Sequence, residues 1–279
     1  MAAPSFPNFA GKHAGEAIVG PAEYVAYARR RGSLDGYQPP PGVVLCFPAS
    51  VYQHVLRAEG VEPGAAAGPH GVIALPSTGG QVGLVHLGIG APLAAVALEE
   101  LAAVGTTAFV SIGTAGGLQR DLAIGDIVLC EAAVRDEGVS HHYLPAARLV
   151  GAEPVMTARL RAALDAAGVG YRAGQSWTID APYRETTAEA RHYQADGVLS
   201  VEMEAAALFA VARFRGLRLA AAFAISDSLA GGTWDPQFHQ PRLRENLTAL
   251  HHAAVSALQH PGAGAVRPES ASAEDAAGS

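Results

Sequence analysis

Short apolar runs alternate with helix-like stretches along most of the chain, beginning at Val43. The runs VVLCF and RLAAAFAIS are apolar throughout, which is typical of strands that are covered on both faces. The stretch PLAAVALEELAAVG has a proline at its start and a glycine at its end, as helices commonly do. Strands that alternate with helices predict an α/β fold, a single domain with a central mixed β-sheet flanked by helices.

The same periodicity predicts the main elements and the places where a ligand could bind. A hairpin is expected across STGGQ, and the strand from Ala108 to Gly113 is expected to end in the Gly-rich turn TAGG. Ligands of such sheets bind beyond the carboxyl ends of the strands, where the sequence has GTAGG, DAPYRE and ISDS. Further helices are predicted over Val51 to Glu59, Met156 to Ala167, Met203 to Phe214 and Pro241 to Gln259.

The distribution of these elements divides the chain into three parts. Residues 1–42 are rich in Gly, Pro and Arg and form an N-terminal extension with one predicted helix, Pro21 to Arg31. No linker or internal repeat interrupts residues 43–260, so they are predicted to be one domain. Residues 261–279 contain few bulky apolar side chains, which predicts a disordered tail.

Composition limits the classes of partner. Hydrophobic residues make up 49% of the 279 residues and charged residues 16%, which is enough for a large core. A net charge of -7 argues against a nucleic-acid partner, although a local pocket could still hold a small anion. Neither a signal peptide nor a membrane span is apparent, so we expect a cytoplasmic protein without a membrane partner. No Cys or His cluster predicts a metal site.

Two Gly-rich segments follow predicted strands and could bind an anion. The first, HLGIGAP, contains Gly88 and Gly90 and precedes a helix whose N-terminus favours negative charge. The second, SIGTAGGL, contains Gly113 and Thr114, and the threonine adds a hydroxyl group beside free backbone N–H groups. A tight turn without any ligand explains the first segment equally well and is also the alternative for the second.

Two carboxylates lie at positions where burial is expected. Glu204 precedes the run AAALFAVA, which must be buried, so Glu204 needs hydrogen-bond donors that the hydroxyl groups of a sugar could supply. Asp227 ends a continuous apolar strand, where it could act as a general acid. The alternatives are a solvated carboxylate at a helix start for Glu204 and a turn cap for Asp227.

Together, the order G-x-G-x-P, G-T-A-G-G-L, V-E-M-E-A and S-D at a strand end resembles the nucleoside phosphorylase superfamily, from Val43 to Leu258. That superfamily includes purine nucleoside phosphorylases, uridine phosphorylases and methylthioadenosine nucleosidases. The resemblance implies cleavage of the N-glycosidic bond of a nucleoside. It also implies no cofactor, inorganic phosphate as co-substrate, and a homo-oligomer that binds only small molecules.

The resemblance also implies roles for individual residues. Met203 and Glu204 would bind the ribose, and Asp227 would protonate the leaving base at N7, which favours a purine because uridine phosphorylases generally lack this aspartate. Arg242 on the last predicted helix would tune that acid. The contacts to phosphate or to another nucleophile would come from Gly88, Gly90, Gly113, Thr114 and Arg184.

The segment WTIDAPYRE lies where the resemblance places the base-binding loop. Trp177 or Tyr183 could stack on the base, and Glu185 could bind its edge. A surface loop with an exposed ion pair is the alternative interpretation of this segment.

The sequence lacks two arginines that bind phosphate in members of the superfamily. Relatives of the hexameric branch carry one arginine after the first strand, where this chain has FPASVY, and a second where this chain has Ser111. Arg184, Arg135 or an arginine of a neighbouring subunit could replace them. A nucleosidase that uses water, or a nucleoside-binding protein without activity, would explain their absence. A Rossmann-type dinucleotide-binding protein is disfavoured, because no G-x-G-x-x-G follows the first strand.

Overall fold

Ten strands and eight α-helices form the part of the chain that the computed structural model describes, which comprises residues 7, 9 and 11–259. The strands are β1 Gly42–Cys46, β2 Ile73–Ala74, β3 Val82–His86, β4 Ala108–Gly117, β5 Ile127–Asp136, β6 Leu149–Gly151, β7 Tyr171–Ile179, β8 Ser200–Glu202, β9 Arg218–Ser228 and β10 Asp235–Pro236. The helices are α1 Pro21–Arg30, α2 Ala49–Glu59, α3 Ala91–Val104, α4 Ser140–Tyr143, α5 Pro154–Ala166, α6 Thr187–Ala195, α7 Ala205–Arg215 and α8 Pro241–Gln259.

All ten strands belong to one mixed sheet, in the order β10-β9-β5-β7-β8-β4-β1-β3-β2, with β6 paired to β5. The pairs β1–β3, β1–β4, β4–β9, β5–β7 and β7–β8 are parallel. Because β9 pairs with β4 as well as with β5, the strands β4, β8, β7, β5 and β9 close into a ring. The predicted fold class, a single-domain α/β protein with a mixed sheet, is confirmed.

Helices cover both faces of this sheet, and each face has its own apolar core. Side chains on one face, including Phe109 and Phe223, pack against α3 and α7. Side chains on the other face, including Val110 and Ile112, pack against α2, α5 and α8. Alternate residues of β4 therefore point to opposite cores, as the pleat of a strand requires.

The structure corrects two predicted element bounds near the strand ends. The TAGG segment is not a turn, because β4 continues through it to Gly117, and its pairing with β9 shifts by one residue opposite Ala115 and Gly116. Helix α7 begins at Ala205 rather than at Met203, because β8 extends to Glu202 and residues 203–204 form the bend between the two elements.

The predicted N-terminal helix is α1, which ends at Arg30, one residue before the predicted end. The predicted disordered tail, residues 261–279, lies outside the described residues. Among the helices of the described ranges, none combines the length and apolar character that crossing a membrane requires.

Candidate active site

Gly116 of β4 lies between the ends of two other strands. On one side it pairs with Val201 of β8, and on the other side with Asp227 of β9. Neighbouring strands are about 5 Å apart, so both ends lie next to the same stretch of β4. Glu204 follows Val201 by three residues, and the two predicted carboxylates therefore lie at one edge of the sheet.

Glu204 is held by a backbone donor from a distant part of the chain. The residue is 7% exposed, and Gly90 donates its N–H to Oε1 over 2.6 Å. Gly90 immediately precedes α3 with a φ of 109°, a conformation that favours glycine. Burial, reinforced by the negative charge of Glu202, raises the pKa of Glu204 to about 8, although the bond from Gly90 opposes the shift.

Glu202 has a structural role at the start of α7. Its carboxylate accepts the N–H groups of Glu204 and Ala205 over 2.8 and 2.7 Å, which satisfies donors at the helix N-terminus. The Thr178 hydroxyl donates to the same carboxylate over 2.5 Å. Burial raises the pKa of Glu202, and these three bonds oppose that shift. Met203, between the two glutamates, is half-buried.

Asp227 is fixed by two donors. Ser226 donates its hydroxyl to Oδ1 over 2.7 Å, and Trp234 donates its indole N–H to Oδ2 over 2.9 Å. The carboxylate lies over Gly116, where an added Cβ would be 3.2 Å from Oδ2. Sequence reasoning missed Trp234, although a tryptophan in the Gly-rich loop after Asp227 was a usable signal. Its side chain is 64% exposed, which is unusual for so large an aromatic group.

Thr114 lines a cavity of about 670 Å³ on the α2 and α8 face of the sheet. Residues of α2 from its start to its last turn, together with residues between 238 and 247, form its other walls. Thr114 pairs with Ala224 of β9 and precedes Gly116 by two residues, so the cavity adjoins the edge that carries Asp227.

Comparison with known proteins agrees with this geometry. The sequence model of the phosphorylase superfamily matches residues 43–258, which is most of the chain. The chain belongs to the phosphorylase superfamily. The resemblance predicted from the four sequence segments is thereby confirmed.

Individual members of the phosphorylase superfamily differ in their named substrates. The guanosine phosphorylase of Halorubrum lacusprofundi is 33% identical over 55% of this chain and 64% of its own length. The uridine phosphorylase of Thermococcus kodakarensis is 33% identical over 50% of this chain and 55% of its own length. The chain thus spans between half and two thirds of these curated relatives.

A solved structure of a uridine phosphorylase shows the similarity over a greater length. The enzyme from Vibrio fischeri ES114 superposes with a TM-score of 0.65 and 26% identity. The match covers 80% of this chain and 92% of that chain.

In the predicted base-binding loop, Glu185 lies near Asp227, whereas Trp177 lies in the core. Glu185 is half-buried, and burial together with the charges of Asp227 and Glu189 raises its pKa to about 7. Tyr183 is 99% exposed, and Arg184 is also exposed. Trp177 was wrongly predicted to stack on the base, since its side chain has no exposed surface and its indole N–H donates to Asp136 over 2.9 Å.

Two predicted arginine roles also require correction. Arg242 was predicted to tune Asp227, but its guanidinium group forms an ion pair with Asp126 over 2.5 Å. The donor to Asp227 Oδ2 is the indole N–H of Trp234. Arg135 is buried, and its guanidinium group donates to Ser140 Oγ over 2.9 Å and to the carbonyl groups of Pro145 and Leu144. These bonds hold the segment after β5, so the guanidinium group of Arg135 is not available to bind phosphate.

The predicted phosphate-binding glycines have different surroundings. Gly90 donates its N–H to Glu204, so this N–H orients a side chain of the protein and is not available to a phosphate ion. Gly113 is buried, and a Cβ at that position would make ordinary contacts with Phe223 and Phe47. Gly88 is exposed in the turn before α3.

No group of three or more His, Cys, Asp or Glu side chains that could hold a metal ion occurs among the described residues.

Proposed function

We propose that this protein is a nucleoside phosphorylase that converts a purine nucleoside and phosphate to the free base and a pentose 1-phosphate. The observation that carries the proposal is the pair of buried carboxyl groups, Glu204 and Asp227, on the strand ends beside Gly116. In this proposal, Glu204 binds the sugar and Asp227 binds the base.

Glu204 binds the 2′ and 3′ hydroxyl groups of the ribose in this proposal. A buried carboxyl group needs donors, and within the described residues the donors to Glu204 are the backbone N–H groups of Gly90 and Met203. Two vicinal hydroxyl groups would supply the others. The half-buried Met203 next to it offers an apolar surface for the sugar ring.

Asp227 assists departure of the base. As the C1′–N9 bond breaks, its electron pair stays on the base, and positive charge develops on the sugar. Transfer of a proton from Asp227 to N7 neutralises the base, an effect worth about 10²–10⁴-fold in rate. Ser226 and Trp234 hold the carboxyl group in one orientation for this transfer.

Phosphate completes the reaction. An oxygen of hydrogen phosphate forms the new bond to C1′, and the proton that the phosphate loses restores Asp227. The sum is one nucleoside and one hydrogen phosphate giving one neutral base and one pentose 1-phosphate. Glu185, Arg184 and Tyr183 surround the base in this proposal, and Glu185 is near enough to Asp227 for that charge to raise its pKa.

Hydrolysis by water is the second candidate, and one observation favours it. Ser111 occupies the strand position at which relatives carry a phosphate arginine, and it is fully buried. Its hydroxyl group has no hydrogen-bond partner within the described residues. A dianion at this position would lack a charge-assisted bond from β4.

Product analysis separates these functions. Guanosine, inosine, adenosine, methylthioadenosine and uridine are incubated with the protein, with and without phosphate, and base and sugar products are quantified by chromatography. We expect base and pentose 1-phosphate from a purine nucleoside only when phosphate is present. Equal base release without phosphate would show a hydrolase, and no release from any nucleoside would favour a binding protein.

A further inference from the structure

The cavity beside Thr114 is lined by basic side chains. His54 and Arg57 of α2 line it, as do His239 and Arg244 from the segment that ends in α8. No Asp or Glu occurs among the residues that line it. In a protein with a net charge of -7, a cavity that has only basic ionisable groups favours an anion.

The two arginines in this cavity have no acidic partner. Five other arginines, among them Arg215 and Arg242, form ion pairs with carboxylates. In the described part of the chain, by contrast, the guanidinium groups of Arg57 and Arg244 make neither an ion pair nor a hydrogen bond. Their donors are therefore available to a ligand.

The backbone adds to this preference for an anion. Helix α2 begins next to the cavity, where Pro48 and Ser50 line the wall, and no side chain caps its N-terminus. The N-terminus of a helix carries partial positive charge and free N–H groups. The Thr114 hydroxyl supplies a further donor from β4.

The position of the cavity connects it to the proposed reaction. Thr114 lies two residues from Gly116, which corresponds to about 7 Å along the strand. A Cβ added at Gly116 would be 3.2 Å from the Asp227 carboxylate. An anion beside Thr114 would therefore be close enough to Asp227 for one nucleoside to reach both.

We propose that Arg57 and Arg244, with His54, His239 and Thr114, bind a phosphate dianion in this cavity, in place of the two arginines that the chain lacks. The role of this phosphate as the nucleophile rests on the proposed function. Guanidinium groups suit the task because each can donate two hydrogen bonds to phosphate oxygens.

Binding of inorganic phosphate, measured by isothermal titration calorimetry at constant ionic strength, tests this site without relying on turnover. Wild type is compared with Arg57→Gln, Arg244→Gln and the double variant. We expect affinity to fall about tenfold or more for each arginine, as for other hydrogen bonds to charged groups. Arg244→Lys, which keeps the charge, should lose less than Arg244→Gln.

Arg213→Gln is the matched control, because Arg213 is exposed at the end of α7 and does not line the cavity. It should bind phosphate as wild type does. Circular dichroism of each variant establishes that it is folded. Unchanged phosphate affinity in the folded double variant would overturn the proposal.

The same variants show whether the site binds inorganic phosphate or the phosphate group of a nucleotide. They also separate failure of the anion site from failure of the proposed phosphorolysis. If a nucleoside 5′-monophosphate, but not inorganic phosphate, lost affinity in the double variant, the free-phosphate site would be refuted. If phosphate binding were lost while wild type released base equally well without phosphate, the anion site would stand and phosphorolysis would fail.

Discussion

At the scale of single residues, Glu204 shows how the fold prepares a carboxyl group for a ligand. The run of apolar residues after it predicted its burial, and the structure confirms that the residue is 7% exposed. Its partner could not be predicted, because Gly90 lies 114 residues away in the sequence. Only the pairing of distant strands brings the two together.

The raised pKa of Glu204 predicts a pH-dependent stability that Glu204→Gln should remove. The folded form holds its proton up to a pKa of about 8, whereas an unfolded chain releases it near the ordinary value of 4.5. The contribution to stability is thus complete below pH 4.5 and is lost as the pH rises to about 8. We expect thermal melts at pH 9 to show the variant several degrees more stable than wild type.

The comparison must isolate Glu204 from Glu202 and Glu185, whose pKa values are also raised. Glu62→Gln alters an exposed glutamate and should follow the pH profile of wild type. Parallel melting profiles for Glu204→Gln and wild type between pH 5 and pH 9 would contradict the predicted burial of the charge.

The two tryptophans show where residue types alone mislead. Trp177 stood in the expected base-binding segment, but it occupies a strand position inside a small core with Leu118 and Val201. Trp234 was not predicted to act, and it binds the proposed acid. An aromatic side chain suits a hydrophobic core as well as a ligand-binding site, so only its position in the fold shows which of the two roles it has.

At the scale of elements, β4 accounts for the most informative error. Glycine is a poor strand former, so TAGG was predicted to be a turn. The segment stays extended because β8 and β9 pair with it on both sides. The neighbouring strand β9 has one extra residue, Ser226, at this place, and a bulge of this kind bends β9 immediately before Asp227.

Gly116→Ala should disable the site by steric conflict. The new Cβ would lie 2.6 Å from Leu229 Cδ1 and 3.0 Å from Val201 Cγ1, besides approaching Asp227. Such overpacking costs about 1–3 kcal/mol, and displacement of Asp227 should lower kcat at least about tenfold. Thermal melts and steady-state kinetics measure the two effects.

Gly151→Ala provides the control, since β6 is also a strand and no atom lies within 4 Å of its added Cβ. It should retain both stability and activity. Wild-type kinetics in Gly116→Ala would show that Asp227 does not depend on close contact with β4.

Two short elements, α6 and β8, escaped prediction for different reasons. The signal for α6 was present, because Thr186 and Glu189 form a capping box at its start. Strand β8 has only three residues, too few for a periodic pattern, and exists because β4 and β7 flank it.

At the scale of the whole molecule, the sequence predicted the layers of the fold but not the closure of the strands. Local patterns identified most strands and the helices on both faces. The ring forms because β9 pairs in parallel with β4 and antiparallel with β5, and these contacts join distant segments. Such pairings leave little trace in local periodicity.

The predicted homo-oligomer remains a prediction, and an apolar surface near the site makes it testable. Ile89, Leu93 and Val96 are 70%, 38% and 49% exposed, next to the glycine that binds Glu204. Leu93 and Val96 share one face of α3, which Ile89 precedes, and exposed apolar groups of this kind are typical of protein interfaces. We expect Leu93→Asp to reduce the mass measured by light scattering to that of a monomer.

Val155→Asp is the matched control, because Val155 is 42% exposed at the start of α5. It should leave the assembly unchanged. If Leu93→Asp kept the mass of wild type, or if wild type were monomeric, this face of α3 would not be an oligomer interface.

The central claim is that Asp227 and Glu204 act on one nucleoside, and kinetics of purine nucleoside cleavage test it most directly. kcat and KM are measured for wild type, Asp227→Asn and Glu204→Gln, with Glu62→Gln as the control. We predict a fall in kcat of about 10²–10⁴-fold for Asp227→Asn and a higher KM for Glu204→Gln. Full activity in a folded Asp227→Asn variant would contradict the account.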